Sequence, residues 1–167
     1  MTTEVTPDLD ILRRWAEALE SGRFKQGTKV LRAWSAINGE NRFCCLGVLT
    51  VLAEEAGIEP DSPGACEFDE DGPEHQHTLW CTAEDELLPV TVMRWAGLDE
   101  TNPTLIDATE PCEPMDWAGR CEHGFSHEEQ YAAELNDEGK TFLEIAGYIR
   151  ERWDLGPRQE VVGDQLA

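Results

Sequence analysis

Apolar residues first settle into a helical rhythm at Leu9, Leu12, Trp15, Ala16 and Leu19, between Thr6-Pro7-Asp8 and Gly22. With Thr6 as N-cap, Pro7 in the first helical position and acid in the first turn, this spacing predicts an amphipathic helix that stops at Gly22. Val30 to Ile37 predicts a strand and Asn38-Gly39-Glu40-Asn41 a tight turn, giving a small hairpin that ends near Phe43. Phe43 to Ala53 then runs without a single charge and finishes in Glu54-Glu55-Ala56-Gly57. Its length and its glycine stop predict a helix, and a helix apolar on nearly all sides is a central one. Gly47 inside it costs about 1 kcal/mol relative to Ala, so close packing against that position is expected.

From Ile58 the rhythm collapses into Asp, Glu, Pro and Gly, which predicts an irregular loop over 58–76. His77 to Cys81 predicts a short strand. Pro89 to Ala96 predicts a helix with Val92, Trp95 and Ala96 on one side and Gly97 as its stop. Thr104-Leu105-Ile106 predicts another short strand, and 107–125 a second irregular loop. Both loops exceed the usual connection length. Ser126-His127-Glu128-Glu129 has the form of a capping box before a helix reaching Asn136, and Thr141-Phe142-Leu143-Glu144 repeats that form. Phe142, Ile145, Ala146, Ile149 and Trp153 share one face of a last helix that ends at Gly156-Pro157.

These elements describe an α+β, mainly helical single domain over 1–156. It has a buried central helix, a small β-hairpin, a C-terminal helix pair and a flexible tail over 157–167. The central helix is expected to be the post against which Trp15, Trp95, Phe142 and Ile149 pack.

Composition changes the picture chiefly through charge. The formal net charge is −22. Up to position 42 there are seven Lys and Arg against six acids, whereas the remainder carries six bases against 29 acids. A locally basic segment is thus joined to a body that repels nucleic acid and anionic membrane and attracts basic partners. Met1 to Pro7 lacks the character of a signal peptide and no apolar run approaches membrane-spanning length, so a cytoplasmic protein with reduced thiols is expected.

Three patterns bear on chemistry. Cys66-x8-His75-x-His77-x3-Cys81 and Cys112-x8-Cys121-x-His123-x3-His127 repeat one spacing of metal-ligating residues. Four such ligands suit a structural zinc, and the sequence implies no other cofactor; the competing reading is exposed loop histidines and half-buried thiols. Cys44-Cys45 lacks the C-x-x-C redox spacing and reads as core. The segment Arg23-Phe24-Lys25-Gln26-Gly27-Thr28-Lys29, with Arg32 and Arg42 nearby, concentrates positive potential where an anion could sit, although no Walker loop is present. Its competing reading is pairing with the chain's own acids. The segment after Gly139-Lys140-Thr141 is too acidic for the recognition helix of a DNA reader.

Trp15, Ser21 to Gly27, Phe43-Cys44-Cys45-Leu46-Gly47-Val48-Leu49, Leu88-Pro89, Trp95 to Leu98, Asn102-Pro103 and Glu134-Leu135-Asn136-Asp137 with Gly139, Phe142, Glu144, Ile145 and Ala146 together carry a resemblance. They resemble a family of short acidic proteins, of unassigned activity, encoded by bacteriophages of actinobacteria. The resemblance implies a setting in an infected host and not a reaction; small phage proteins of this kind often bind and neutralise a host component, including defence enzymes or their nucleotide signals. The function expected on these grounds is sequestration of an anionic small molecule such as a nucleotide signal. Arg23, Lys25, Gln26, Lys29, Arg42, Asn136 and Asp137 are its candidate contacts. Two alternatives remain open: an acidic decoy or DNA mimic that occupies a basic host protein, and a zinc-dependent hydrolase. The decoy predicts binding that weakens steeply with salt.

Overall fold

The structure, a computed structural model, describes residues 6–35, 39–61, 76–78, 87–108 and 128–158. Its elements run α1 (Leu9–Glu20), β1 (Lys25–Gln26), β2 (Arg32–Ser35), β3 (Glu40–Phe43), α2 (Cys45–Glu55), β4 (Gln76–Thr78), α3 (Val90–Trp95), β5 (Thr104–Ile106), β6 (Gln130–Tyr131), α4 (Ala132–Asp137) and α5 (Phe142–Arg152). This is the expected α+β, mainly helical fold with a C-terminal helix pair.

The first helix starts later than its sequence suggests. Asp8, not Thr6, is the N-cap, its Oδ1 accepting from the backbone N–H of Asp10 at 3.1 Å and of Ile11 at 3.2 Å. Thr6 to Asp8 is held outside the helix because it runs across Gly97, where a Cβ would lie 2.4 Å from the Thr6 carbonyl oxygen. The Asp8 N–H donates to the Ala96 carbonyl oxygen at 3.1 Å. The end of α3 is thereby fastened to the start of α1.

The hairpin of β2 and β3 is as expected, with Trp34 opposite Asn41 and Arg32 opposite Phe43. It belongs to a larger sheet of order β1-β3-β2-β4, in which β1 runs parallel to β3 and pairs Gln26 with Phe43. Two residues of parallel pairing are too short to show in a hydrophobic pattern. Their consequence is large, because β1 carries the Gln26 side chain into the helical layer.

Phe43 ends β3, and α2 begins only at Cys45, with the Cys44 sulfur accepting from the Gly47 N–H at 3.4 Å. Cys45 to Thr50, Leu52 and Ala53 are buried, and Thr50 satisfies its hydroxyl on the Leu46 carbonyl oxygen at 3.1 Å. A Cβ at Gly47 would stand 1.7 Å from the Leu31 carbonyl oxygen. Only glycine lets the chain entering β2 lie on this helix. Trp15 donates its indole N–H to the Cys45 carbonyl oxygen at 2.9 Å, tying α1 to the same turn.

The last third departs from expectation at one point. Ser126 and His127 lie outside the described residues, but Gln130-Tyr131 is extended and pairs with β5, Tyr131 opposite Thr104. The proposed capping box therefore opens no helix. Instead α4 starts at Ala132, where the Ala132 N–H donates to the Pro103 carbonyl oxygen at 3.0 Å and the Ala133 N–H to Asn102 Oδ1 at 3.0 Å. Strand pairing and a cap borrowed from 102–103 outweigh the local signal. The second capping box is real: Thr141 and Glu144 satisfy one another's backbone N–H groups.

The fifth helix packs chiefly on α1, while α2 meets α1, α3 and α4. Phe142 and Ile149 are buried, but their helix leans mainly on α1 and not on the expected central post. Arg150 seals the α1–α5 seam with a bidentate pair to Glu20, Nε to Oε1 and Nη2 to Oε2 both at 2.9 Å. This carboxylate raises the Arg150 pKa above its ordinary value. The helix stops at Arg152, before Gly156-Pro157, as Asp154 turns left-handed at φ 48°. Of the expected tail over 157–167, only Pro157 and Arg158 are described.

Candidate functional site

Gln26 and Asn136, predicted as ligand contacts, do come together, but they hold each other. Gln26 Nε2 donates to Asn136 Oδ1 at 3.1 Å and to the Lys140 carbonyl oxygen at 2.7 Å, while its Oε1 accepts from the Phe142 N–H at 3.1 Å. Asn136 Oδ1 also accepts from the Cys45 N–H at 3.2 Å. Its Nδ2 donates to the Gly27 carbonyl oxygen at 2.8 Å and to Asp137 Oδ1 at 3.3 Å. Two donors and two acceptor positions exhaust a side-chain amide, and Asn136 is fully buried. Asp137 adds a bond from the Lys29 N–H at 2.8 Å, holding Lys29 at φ 68°. The constellation is a polar pin through β1, α2, α4 and the start of α5.

The cations around it are divided. Arg23 pairs with Glu55 and Lys25 with Glu40. The Arg23 guanidinium hydrogen-bonds Glu55 and holds that carboxyl below its ordinary range. Lys29 and Arg42 are exposed and enter no ion pair among the described residues. Five of the seven predicted contacts are thus spent, Gln26, Asn136 and Asp137 in the pin and Arg23 and Lys25 in ion pairs with the chain's own acids.

Burial pushes the Cys44 thiol up to about 11 and the Cys45 thiol well above its ordinary value. Both are free and buried, and Cys45 Sγ donates to the Ala132 carbonyl oxygen at 3.2 Å. Thiols so protonated are packing residues, as their sequence context suggests. Of the predicted zinc ligands, Cys66, His75, Cys81, Cys112, Cys121, His123 and His127 lie outside the described residues, and His77 is placed in β4 opposite Trp34. No group of three or more His, Cys, Asp or Glu among the described residues is arranged to hold a metal ion.

An open concavity of ≈ 530 Å³ lies elsewhere, between α3, the 99–102 turn and the β6–α4 junction. Leu87, Val90 and Met93 line it together with Tyr131, and Asp99, Glu100 and Glu134 carry its charge. None of these three acids enters an ion pair among the described residues. The field of Glu100 and Glu134 reaches Tyr131, whose pKa is raised first by its hydrogen bond to Glu129 and further by the charges of Glu129, Glu100 and Glu134. Asp99 and Glu100 also border a second, smaller concavity of ≈ 160 Å³ beside Pro7, Arg152 and Trp153. The orientation of α3 is fixed from its other side. Asp61 Oδ1 accepts from both the N–H and the hydroxyl of Thr91, at 2.9 and 2.7 Å, and these bonds lower the Asp61 pKa.

Sequence reasoning missed this concavity. It identified Val92 and Ala96 as the buried side of α3, which they are, and stopped there. The signal was Leu87, Val90 and Met93, apolar at intervals of three before and within α3, with Val90 left 37% exposed and Met93 only partly buried against the core.

A family model described as Domain of unknown function (DUF8296) matches residues 8–153. Comparison with curated proteins and with solved structures finds no match. The matched span covers every element from the Asp8 cap to the end of α5. Among the described residues no helix is long and apolar enough to cross a membrane.

Proposed function

The chain belongs to that family of unknown function, and from this premise we propose that it is a non-catalytic binding protein whose acidic surface occupies a basic protein partner. The observation that carries the reading is the opposite fate of the two kinds of charge. Arg23 and Lys25 are neutralised by Glu55 and Glu40, and Gln26 and Asn136 are consumed by the pin. Asp99, Glu100 and Glu134 line a concavity and enter no ion pair among the described residues. A net charge of −22 speeds encounter with a cationic protein and slows encounter with an anionic ligand. The sequence resemblance supplies the setting: a bacteriophage protein acting on a host component, including a defence protein.

Sequestration of an anionic small molecule is the weaker reading, because among the described residues only Lys29 and Arg42 of its candidate cations are exposed and enter no ion pair. Native mass spectrometry of the protein purified from host cells separates the two. The expected spectrum contains a stoichiometric complex with a basic protein that dissociates as salt rises. A co-purifying nucleotide, or a partner whose binding ignores salt, contradicts the reading.

A further inference from the structure

The geometry points to the concavity between α3 and α4 as a docking groove for one kind of occupant, a protein segment that carries Lys or Arg beside apolar side chains. This rests on the reading of a basic protein partner and specifies where and how that partner is held. Val90 and the part of Met93 not packed on the core offer apolar surface to the groove, and Glu100 and Glu134 flank it with charge that no ion pair among the described residues neutralises. Burying a Leu or Met side chain in such a groove gives affinity, while a cation seated against the carboxylates fixes register and excludes acidic segments.

Other occupants fit less well. The carboxylates are not grouped to hold a metal ion. Nucleic acid and anionic lipid are repelled by the same field. A second copy of the chain, packed symmetrically, would set Glu100 and Glu134 against their like. The chain's own stretches 62–86 and 109–127 contain a single cation, Arg120, and so supply almost no complement to the groove's charge. What the groove lacks is positive charge, and the chain has no Lys or Arg between Arg42 and Arg94.

Fluorescence anisotropy with a labelled short peptide of alternating Lys and Leu tests this, against a Glu/Leu peptide and a Lys/Ser peptide of equal length. The Lys/Leu peptide is expected to bind the wild-type protein best. Glu100→Gln with Glu134→Gln should weaken it about tenfold, and Val90→Ser should weaken it severalfold with an unchanged melting curve. The control pair Glu17→Gln and Glu151→Gln changes net charge equally at exposed positions on α1 and α5 that do not line the groove and should leave affinity nearly intact. Equal weakening by the two pairs would overturn the groove while leaving the basic-partner reading standing. So would a Lys/Ser peptide that binds as well as Lys/Leu. If the Lys/Leu peptide does not bind at all while native mass spectrometry still finds a basic protein complex, the groove is again overturned and the broader reading survives. Absence of both removes the two together.

Discussion

Asn136 is the residue on which most of the polar architecture depends. Replacing it with Ala leaves the buried Cys45 N–H and Gly27 carbonyl without their partner, and each orphaned group costs about 1–3 kcal/mol. Denaturant unfolding of Asn136→Ala is therefore expected to show a loss of about 3 kcal/mol. Affinity for a basic peptide should be unchanged wherever the variant remains folded. Gly47→Ala is a second local test. The Cβ meets backbone at Leu31 that cannot swing aside, so overpacking of about 1–3 kcal/mol outweighs the helix propensity gained. Both positions were visible in the sequence, but their partners were not. Gln26 and Asn136 stand 110 residues apart, and a polar residue that will be saturated internally looks the same in sequence as one awaiting a ligand.

Among the elements, long amphipathic segments were legible because their burial repeats with the helical period. Leu12, Trp15, Ala16 and Leu19 of α1, and Phe142, Ile145, Ala146 and Ile149 of α5, are buried as their spacing predicts, whereas Leu9 at the start of α1 is 48% exposed and Trp153 after α5 is only partly buried. What joins these helices was not legible. Arg150 and Glu20 form the α1–α5 seam, their side chains only 9% and 7% exposed. Arg150→Ala leaves the buried Glu20 carboxylate with only the more distant Arg158, at 3.9 Å, and is expected to cost about 3 kcal/mol in thermal or denaturant unfolding. Replacing both by well-fitting apolar residues should cost far less, because desolvation offsets much of the pair's attraction. Short elements resisted prediction for a different reason: β1, β6 and the start of α4 are set by tertiary partners. The Ser126–Glu129 signal lost to the pairing of Tyr131 with Thr104.

At the scale of the whole molecule, charge was the clearest property of the sequence, and its sign at the exposed concavity was the least clear. The basic segment drew attention because it is exceptional in this chain, yet a surplus of acids is itself the reason such cations find partners at home. The groove instead combines apolar residues before and within α3 with acids from the 99–100 turn and α4, a combination made only by folding. Its negative field can be measured at Tyr131. Folding raises that phenol, so the stabilisation it contributes is present below about pH 10 and is lost as pH rises through the folded value. Ultraviolet titration is expected to show the Tyr131 pKa falling most in Glu129→Gln and less in Glu100→Gln or Glu134→Gln.

The division of roles between an internal pin and an acidic groove is tested most directly by amide chemical-shift mapping, with ATP as the anionic probe and the Lys/Leu peptide as the cationic one. The account predicts that the peptide moves the resonances of Met93, Glu100, Thr101, Tyr131 and Glu134 saturably, while ATP leaves Gly27, Lys29, Asn136 and Asp137 in place. Saturable shifts of Gly27, Lys29, Asn136 and Asp137 with ATP, and a groove unmoved by the peptide, would contradict it.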